Sequence, residues 1–380
     1  SKSNETTPNV PTLRFPNYSG EWQVSSMGKV CTFRKGYGIS KENLSSDGTP
    51  CVLYGELYTT YKTAIAKRIK SKTSLDPTTL FHSKKNDVII PCSGETAEDI
   101  ATSVCIPYDD ILLGGDLTVI RGDLDGAFLS NQINSVRKYD IARIAQGKSI
   151  VHLQADELKK ISIAYPTIEE QQKISGFIDK IDERIEVQNK IISKYETLIK
   201  GLSYYIIKKF NGKEYKLGTL AEIYQPQTIT KTDLPDNGKY PVYGANGIIG
   251  YYNRFNHKES QIMITCRGST CGTVNLSTPY SWITGNSMVI NIDEHKSTVD
   301  KKYLYYYLKT QSFNDLISGS GQPQIVRKPL VNLNVFLPEI SQQIKLGEII
   351  DIFEKTLKNE KEMLSALQKQ KAFLLQSMFI

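Results

Sequence analysis

Pro166-Thr167-Ile168-Glu169-Glu170-Gln171-Gln172-Lys173-Ile174 opens one long polar-apolar run, and Pro338-Glu339-Ile340-Ser341-Gln342-Gln343-Ile344-Lys345-Leu346 opens another of the same form. Steps of four and three through the first give Ile174, Ile178, Ile181, Ile185, Gln188, Ile192, Tyr195, Ile199, Leu202 and Ile206. Through the second they give Leu346, Ile350, Phe353, Leu357, Glu360, Leu364, Leu367, Lys371, Leu374 and Met378. A 3.5-residue repeat held over four heptads is narrower than the stripe a core-facing helix needs, so it predicts a coiled-coil seam. Gln188 and Glu360 interrupt the two seams at the same step. Thr167 with Glu170 predicts a capping box at the first start; Glu339 stands in the Thr167 place, so the second start lacks one.

The residues ahead of each run also repeat. Trp22-x-Val24-x-x-Met27-x-x-Val30 returns as Tyr215-x-Leu217-x-x-Leu220-x-x-Ile223. Val52-Leu53-Tyr54-Gly55 returns as Pro241-Val242-Tyr243-Gly244, and Val88-Ile89-Ile90-Pro91-Cys92-Ser93-Gly94 as Ile262-Met263-Ile264-Thr265-Cys266-Arg267-Gly268. A duplication this long means two similar domains with similar tasks. The offset between copies falls from 193 to 172, so the second is about 20 residues shorter and the loss lies in its middle. One frame with a variable middle suits two different binding surfaces. Short β-rich runs separated by Gly, Asp and Pro mark both domains as α+β, with a helix expected near 125–138 and another behind Asp300, a good N-cap. The expected organisation is residues 1–166 as a first domain with an extended proline-rich lead-in, a helix over 167–212, a second domain over 213–338 and a helix over 339–380.

Helices that pair antiparallel would carry the chain out to the second domain and back, giving a pseudo-two-fold molecule. Gln188 and Glu360 would then meet and fix the register. A seam of this length is about 50 Å long and would span roughly 15 base pairs of duplex. Ile178, Ile181, Ile185, Gln188 and Ile192 on one helix, and Ile350, Phe353, Leu357, Glu360 and Leu364 on the other, are the expected interface.

Bulk properties narrow the function. The net charge is +7. The first run holds 8 basic and 7 acidic residues over 167–210, and the second holds 6 of each over 339–380. Nearly all the excess therefore sits on the globular parts, as polyanion binding would want. The six cysteines form no CxxC pair, and no histidine pair stands at ligand spacing, so no metal site is expected and the thiols read as small buried side chains of a reducing compartment. No stretch nears the roughly 18 apolar residues that span a bilayer. The first residues contain no hydrophobic signal core, so no membrane partner and a cytoplasmic location are expected.

A catalytic constellation is hard to find. Gln146-Gly147-Lys148-Ser149 ends like a phosphate loop, but Ala142 stands where the first glycine belongs. Pro91-Cys92 has no glycine-rich cofactor loop beside it, and the four histidines are scattered. Binding residues are more plausible. Arg reads guanine and Asn or Gln reads adenine through paired hydrogen bonds on the major-groove edge. Candidates of this kind are Tyr54 and Lys148 in the first domain, and Tyr243, Asn246, Arg267, Ser269, Gln322, Gln324 and Arg327 in the second. Arg34, Lys35, Lys67, Arg68, Lys84, Lys85, Arg137 and Lys138 are candidates for phosphate contacts.

These features together resemble the specificity subunit of a type I restriction-modification system, over essentially the whole chain. The repeated join carries the likeness: Pro166-x-x-x-Glu170-Gln171-x-Lys173-Ile174, and Pro338-x-x-x-Gln342-Gln343-x-Lys345-Leu346, which has Gln342 where the family usually has Glu. Pro11-Thr12-Leu13-Arg14-Phe15-Pro16, Glu21-Trp22, and Pro241-Val242-Tyr243-Gly244-Ala245-Asn246-Gly247 add to it. The resemblance implies two target recognition domains separated by antiparallel helices, each reading half of a bipartite, asymmetric DNA sequence. It implies a chain without enzymatic activity or cofactor of its own, docked by two adenine-N6 methyltransferase subunits, with restriction subunits as further partners. AdoMet, ATP and magnesium would belong to those partners. The competing readings are a self-contained methyltransferase or nuclease, and a non-catalytic coiled-coil adaptor whose lobes bind a non-nucleic partner. A specificity subunit of a fused or two-component system is a near variant.

Overall fold

The computed structural model describes residues 9–147, 150–209, 211–245, 247–319 and 322–380, with the side chains of 203–209 and 231 outside that description. The chain forms two compact units: residues 1–189 with 363–380, and residues 190–362.

In the first unit, β1 (Cys31–Lys35), β3 (Asp87–Pro91), β4 (Val104–Ile106) and β6 (Leu117–Gly122) make one antiparallel sheet in the order β1-β6-β3-β4. β3 is buried at every position, as its unbroken apolar run requires of a strand covered on both faces. Helix α1 (Gly126–Asn134) begins at Asp125, whose side chain accepts the Phe128 N–H. Beyond it a second short helix occupies Lys138–Ile144, so the single helix expected near 125–138 is two. A second sheet holds β2 (Thr49–Val52), which pairs in parallel with β5 (Leu112–Leu113).

The second unit rebuilds this frame. β7 (Glu222–Tyr224), β9 (Ile262–Thr265), β10 (Val274–Leu276) and β12 (Ser287–Asn291) are ordered β7-β12-β9-β10, again antiparallel. β8 (Tyr240–Gly244) pairs in parallel with β11 (Trp282–Ile283). Asp300 caps α3 (Lys301–Thr310) by accepting the Tyr303 N–H, as its position predicts. Backbone partners correct two details of the repeat. Met27 N–H bonds Ile161 C=O as Leu217 N–H bonds Leu333 C=O, so Leu217, not Leu220, is the counterpart of Met27. Val52 faces Leu113 and Tyr243 faces Ile283, so Val52, not Tyr54, is the counterpart of Tyr243. Most of the missing length falls between Val52 and Val88, which Tyr243 to Ile262 replaces with a tight hairpin onto Gly247–Tyr252.

The long helices are α2 (Ile168–Lys209) and α4 (Ile340–Ser377). Their seam residues point inward where described: Ile174, Ile178, Ile181, Gln188, Ile192, Ile350 and Leu357 are buried, and Ile185, Phe353, Glu360 and Leu364 are partly so. The side chain of Ile206 lies outside the described residues. The helices run antiparallel within each unit. In the first, Ile174 and Ile178 share a cluster with Leu374, Met378 and Phe379, while the later Asp182 meets the earlier Lys371 at 2.5 Å. In the second, Ile199 packs on the cluster of Leu346 and Ile350, and Glu196 meets Lys361 at 2.7 Å. The start of α2 differs from expectation. Both carboxylate oxygens of Glu170 are taken by Arg14 of the lead-in at 2.7 Å, rather than closing a capping box on Thr167. The lead-in is thus a packed strap: Leu13 N–H also donates to Ser377, and Phe15 meets Phe177 edge to face.

Candidate nucleic-acid interface

Each unit gathers the same set of loops at one end of its main sheet. Where β3 ends, Cys92 donates its N–H to Asp116 ahead of β6; where β9 ends, Cys266 donates to Asn286 ahead of β12. Leu153 N–H closes on Cys92 C=O at 2.9 Å, and Ile325 N–H on Cys266 C=O at 3.0 Å. The chain before each of these is a small hairpin: Gln146 bridges His152, and Ser318 bridges Gln324. The hairpins lay one residue pair across the strand end, His152 on Ser93 in the first unit and Gln324 on Arg267 in the second. Gln146-Gly147 and Ser318-Gly319, separate from the strands in sequence, are therefore brought to them. Ser93 is legible in the sequence as the repeat counterpart of Arg267, whereas His152 was not singled out by sequence; its only signal was its position, matching Gln324 in the repeat.

In the first unit this end carries a cleft of 380 Å³ lined by Arg34, Lys35, Ser93, Thr118, His152, Gln154 and Lys159. A larger cleft of 1030 Å³ adjoins it, sharing Lys35 and Asp116, with Tyr37, Tyr54 and Tyr58 on its walls and Glu56 and Glu95 among them. A left-handed backbone at Asp116, φ 58°, turns the chain between the two. Tyr54 is exposed there.

The remaining candidates divide by what engages them. Lys67 bridges Asp179 at 2.6 Å and Glu183 at 2.9 Å, and Arg137 donates to the Ile380 carbonyl at 2.9 Å and lies 3.6 Å from Asp140. Both cations hold the unit together rather than standing free for phosphate. Tyr243 is 7% exposed, and its hydroxyl accepts the Thr278 N–H, so it belongs to the core. Arg327 is exposed, but its Nε donates to Ile223 C=O at 2.6 Å. Lys84 and Lys85 precede β3, at the end opposite the hairpin; there Asn86 ties the turn to Leu124 and Gly126. Arg68 and Lys138 lie away from the loop cluster in sequence, next to the engaged Lys67 and Arg137. Arg34, Lys35, Arg267, Ser269, Gln322 and Gln324 are exposed. Lys148 and Asn246 lie outside the described residues.

The titratable groups explain little chemistry. Burial pushes the Cys31 and Cys51 thiols up to about 11 and Cys105 to about 12, which keeps them protonated and unreactive. His257 is held below its ordinary value by burial while its Nε2 lies 2.9 Å from the Tyr224 hydroxyl. Among the described residues, no group of three or more His, Cys, Asp or Glu is placed to hold a metal ion. None of the described helices is long and apolar enough to cross a membrane.

The sequence model of the family described as "Type I restriction modification DNA specificity domain" matches residues 19–197 and again 211–369. The chain belongs to this family. The two matches fall on the two copies of the repeat. A putative type I specificity subunit of Mycoplasma pneumoniae is 23% identical over 97% of this chain and 99% of its own length. The MjaVIII specificity subunit of Methanocaldococcus jannaschii is 22% identical over 94% and 92%. The EcoprrI specificity subunit of Escherichia coli is 27% identical over 39% of this chain, and the match spans only 37% of that relative. Among solved structures, the S subunit of a type I restriction-modification system from M. genitalium superposes with a TM-score of 0.71 at 19% identity, covering 98% and 99% of the two chains. A chain from a type I R-M system solved for its complex assembly gives 0.52 at 16% identity, covering 94% and 97%. These likenesses show the fold: two target recognition domains with long helices that pair antiparallel.

Proposed function

We propose that this type I specificity subunit reads a bipartite, asymmetric DNA sequence, one half with the loop cluster of each unit, and positions adenine-N6 methyltransferase subunits, with restriction subunits as further partners. The observation that carries the reading is the doubled loop cluster. The same backbone bonds, Cys92 to Asp116 and Cys266 to Asn286, present different side chains in the two units. A repeated frame with unlike contacts is what two unlike half-sites require. The chain serves as a non-catalytic guide, and AdoMet, ATP and magnesium act on the partner subunits.

The reading is tested by mixing the full chain and its methyltransferase partner with a pool of randomised duplexes and sequencing the bound fraction. Two fixed words separated by a constant unspecified gap, with affinity falling steeply as salt rises, are expected. Salt-insensitive association with a non-nucleic partner and no selected sequence would instead favour the adaptor reading.

A further inference from the structure

Beyond the loop cluster as a whole, one cross-strand pair in each unit stands out. In the second unit Arg267 and Gln324 face each other across the closed hairpin, and both are exposed. Residues paired in this way project from the same face with Cβ atoms about 5 Å apart. Among the described residues, no hydrogen bond or ion pair occupies the Arg267 guanidinium or the Gln324 amide. This contrasts with Lys67, Arg137 and Arg327, each of which is engaged inside its unit. Guanidinium and amide are the two groups suited to paired hydrogen bonds with guanine O6 and N7 and with adenine N6 and N7. Set side by side, they can address neighbouring base pairs.

The first unit builds the same rung with other groups. His152 faces Ser93, a short side chain, leaving a cleft where Arg267 would stand. The charge missing from the rung is supplied beside it, by Arg34, Lys35 and Lys159 around that cleft. In the second unit the place of Lys159 is taken by Val331: a Cβ on Gly28 would meet Lys159, and a Cβ on Gly218 would meet Val331. Met27 N–H bonds Ile161 C=O just as Leu217 N–H bonds Leu333 C=O, which fixes the correspondence. Cation on the rung and apolar residue beside it in one unit become short polar residue on the rung and cation beside it in the other.

We propose that this hairpin rung is a base-reading position in each unit, Arg267 with Gln324 selecting a guanine and an adjacent adenine in one half-site, and His152 above Ser93 reading the other. The proposal rests on the DNA-reading function proposed above and names the residues that set its specificity.

The test repeats the randomised-duplex selection with reconstituted complexes of the full chain carrying Arg267→Ala, Arg267→Lys, Gln324→Ala or His152→Ala. Wild type supplies the two words. Arg267→Ala is expected to lose about ten- to hundredfold preference at one guanine of one word, with the second word and the gap unchanged. Gln324→Ala should relax an adenine beside it, and His152→Ala should relax the other word only. Arg267→Lys keeps the charge but not the two-pronged donor, so it should stay relaxed at the guanine. Restoration of full preference by lysine would reduce Arg267 to a phosphate contact and overturn the assignment. Unchanged words in Gln324→Ala and His152→Ala would overturn it as well, and neither variant removes a buried group or a charge pair. A wild-type complex that selects no split sequence would instead defeat the parent function, and the rung with it.

Discussion

Gln171 and Gln343 make the same two hydrogen bonds in separate units. Gln171 accepts the Asp125 N–H at 2.9 Å and donates to Pro166 C=O at 2.9 Å; Gln343 accepts the Asp300 N–H at 2.9 Å and donates to Pro338 C=O at 2.8 Å. Both side chains are nearly fully buried. Each aspartate in turn caps the helix of its β domain. The repeated join is therefore a clamp that ties the start of a long helix to the N-terminus of a domain helix. Gln171→Leu keeps the volume but leaves a partly buried N–H and C=O without their partner, so it should cost about 1 kcal/mol or more. Hydrogen exchange should show α1 losing protection while α3 keeps its own, and Gln343→Leu should reverse the pattern.

Glu170 and Gln342 occupy matching places beside these clamps but face different surroundings. Glu170 is gripped by Arg14, whereas Gln342 Oε1 is buried with no hydrogen-bond partner among the described residues. Removing Arg14 strands a buried carboxylate, so Arg14→Ala should destabilise the first unit by about 3–5 kcal/mol. Adding Glu170→Gln, the arrangement natural to the second join, should recover most of that loss in urea titrations. A double variant no more stable than Arg14→Ala would show that the strap acts through packing alone.

Much of this architecture was legible in the sequence. The seams followed from a 3.5-residue step that only a helix pair rewards, and the join repeated Pro166, Ile168, Gln171 and Lys173 as Pro338, Ile340, Gln343 and Lys345. The site was less legible, for physical reasons. Lys67 looked like any exposed lysine because its carboxylate partners lie over 100 positions away, on α2. The echo of Tyr54-Gly55 in Tyr243-Gly244 misled because parallel pairing, not residue type, sets the register, and it aligns Tyr243 with Val52. Arg267 and Gln324 were visible as suitable types. Their juxtaposition, and that of Ser93 with His152, arises only when a hairpin folds onto the end of a strand.

The division between engaged and free cations predicts separate behaviour under salt. Arg34→Ala with Lys35→Ala should lower the slope of log affinity against log salt by about 0.9 for each phosphate that is no longer neutralised. Lys67→Ala should leave that slope alone and lower stability instead, by loosening Asp179 and Glu183. Salt titrations of the reconstituted complex, beside thermal melts, separate the two.

Asp182 sits 8% exposed against Lys371, and burial raises its pKa above the ordinary carboxylate value despite that partner. A carboxyl whose folded pKa is raised binds its proton more tightly in the native state, so its contribution to stability falls as pH rises through the ordinary value toward the folded one. Asp182→Asn removes this dependence. The stability of the variant relative to wild type should increase as pH rises from the ordinary aspartate value of about 3.9 toward neutrality. A difference that stays flat or declines over that range would contradict the assignment.

Phe379 closes the first unit, its ring 5.0 Å from Phe128, which in turn lies 5.7 Å from Trp22. Phe379→Ala should cost about 3–5 kcal/mol through the cavity it leaves. Limited proteolysis should show the loss in residues of the first unit, with the core around Tyr303 and Leu304 still resistant.

One duplicated frame reading two different DNA words would leave a distinctive mark on the genome. The most direct test is the N6-methyladenine map of cells expressing the methyltransferase partner, with and without this chain, by single-molecule sequencing. Methylation at one asymmetric motif, split by a fixed gap, is expected to appear only with the chain present. An unchanged map, with an active partner confirmed, would contradict it.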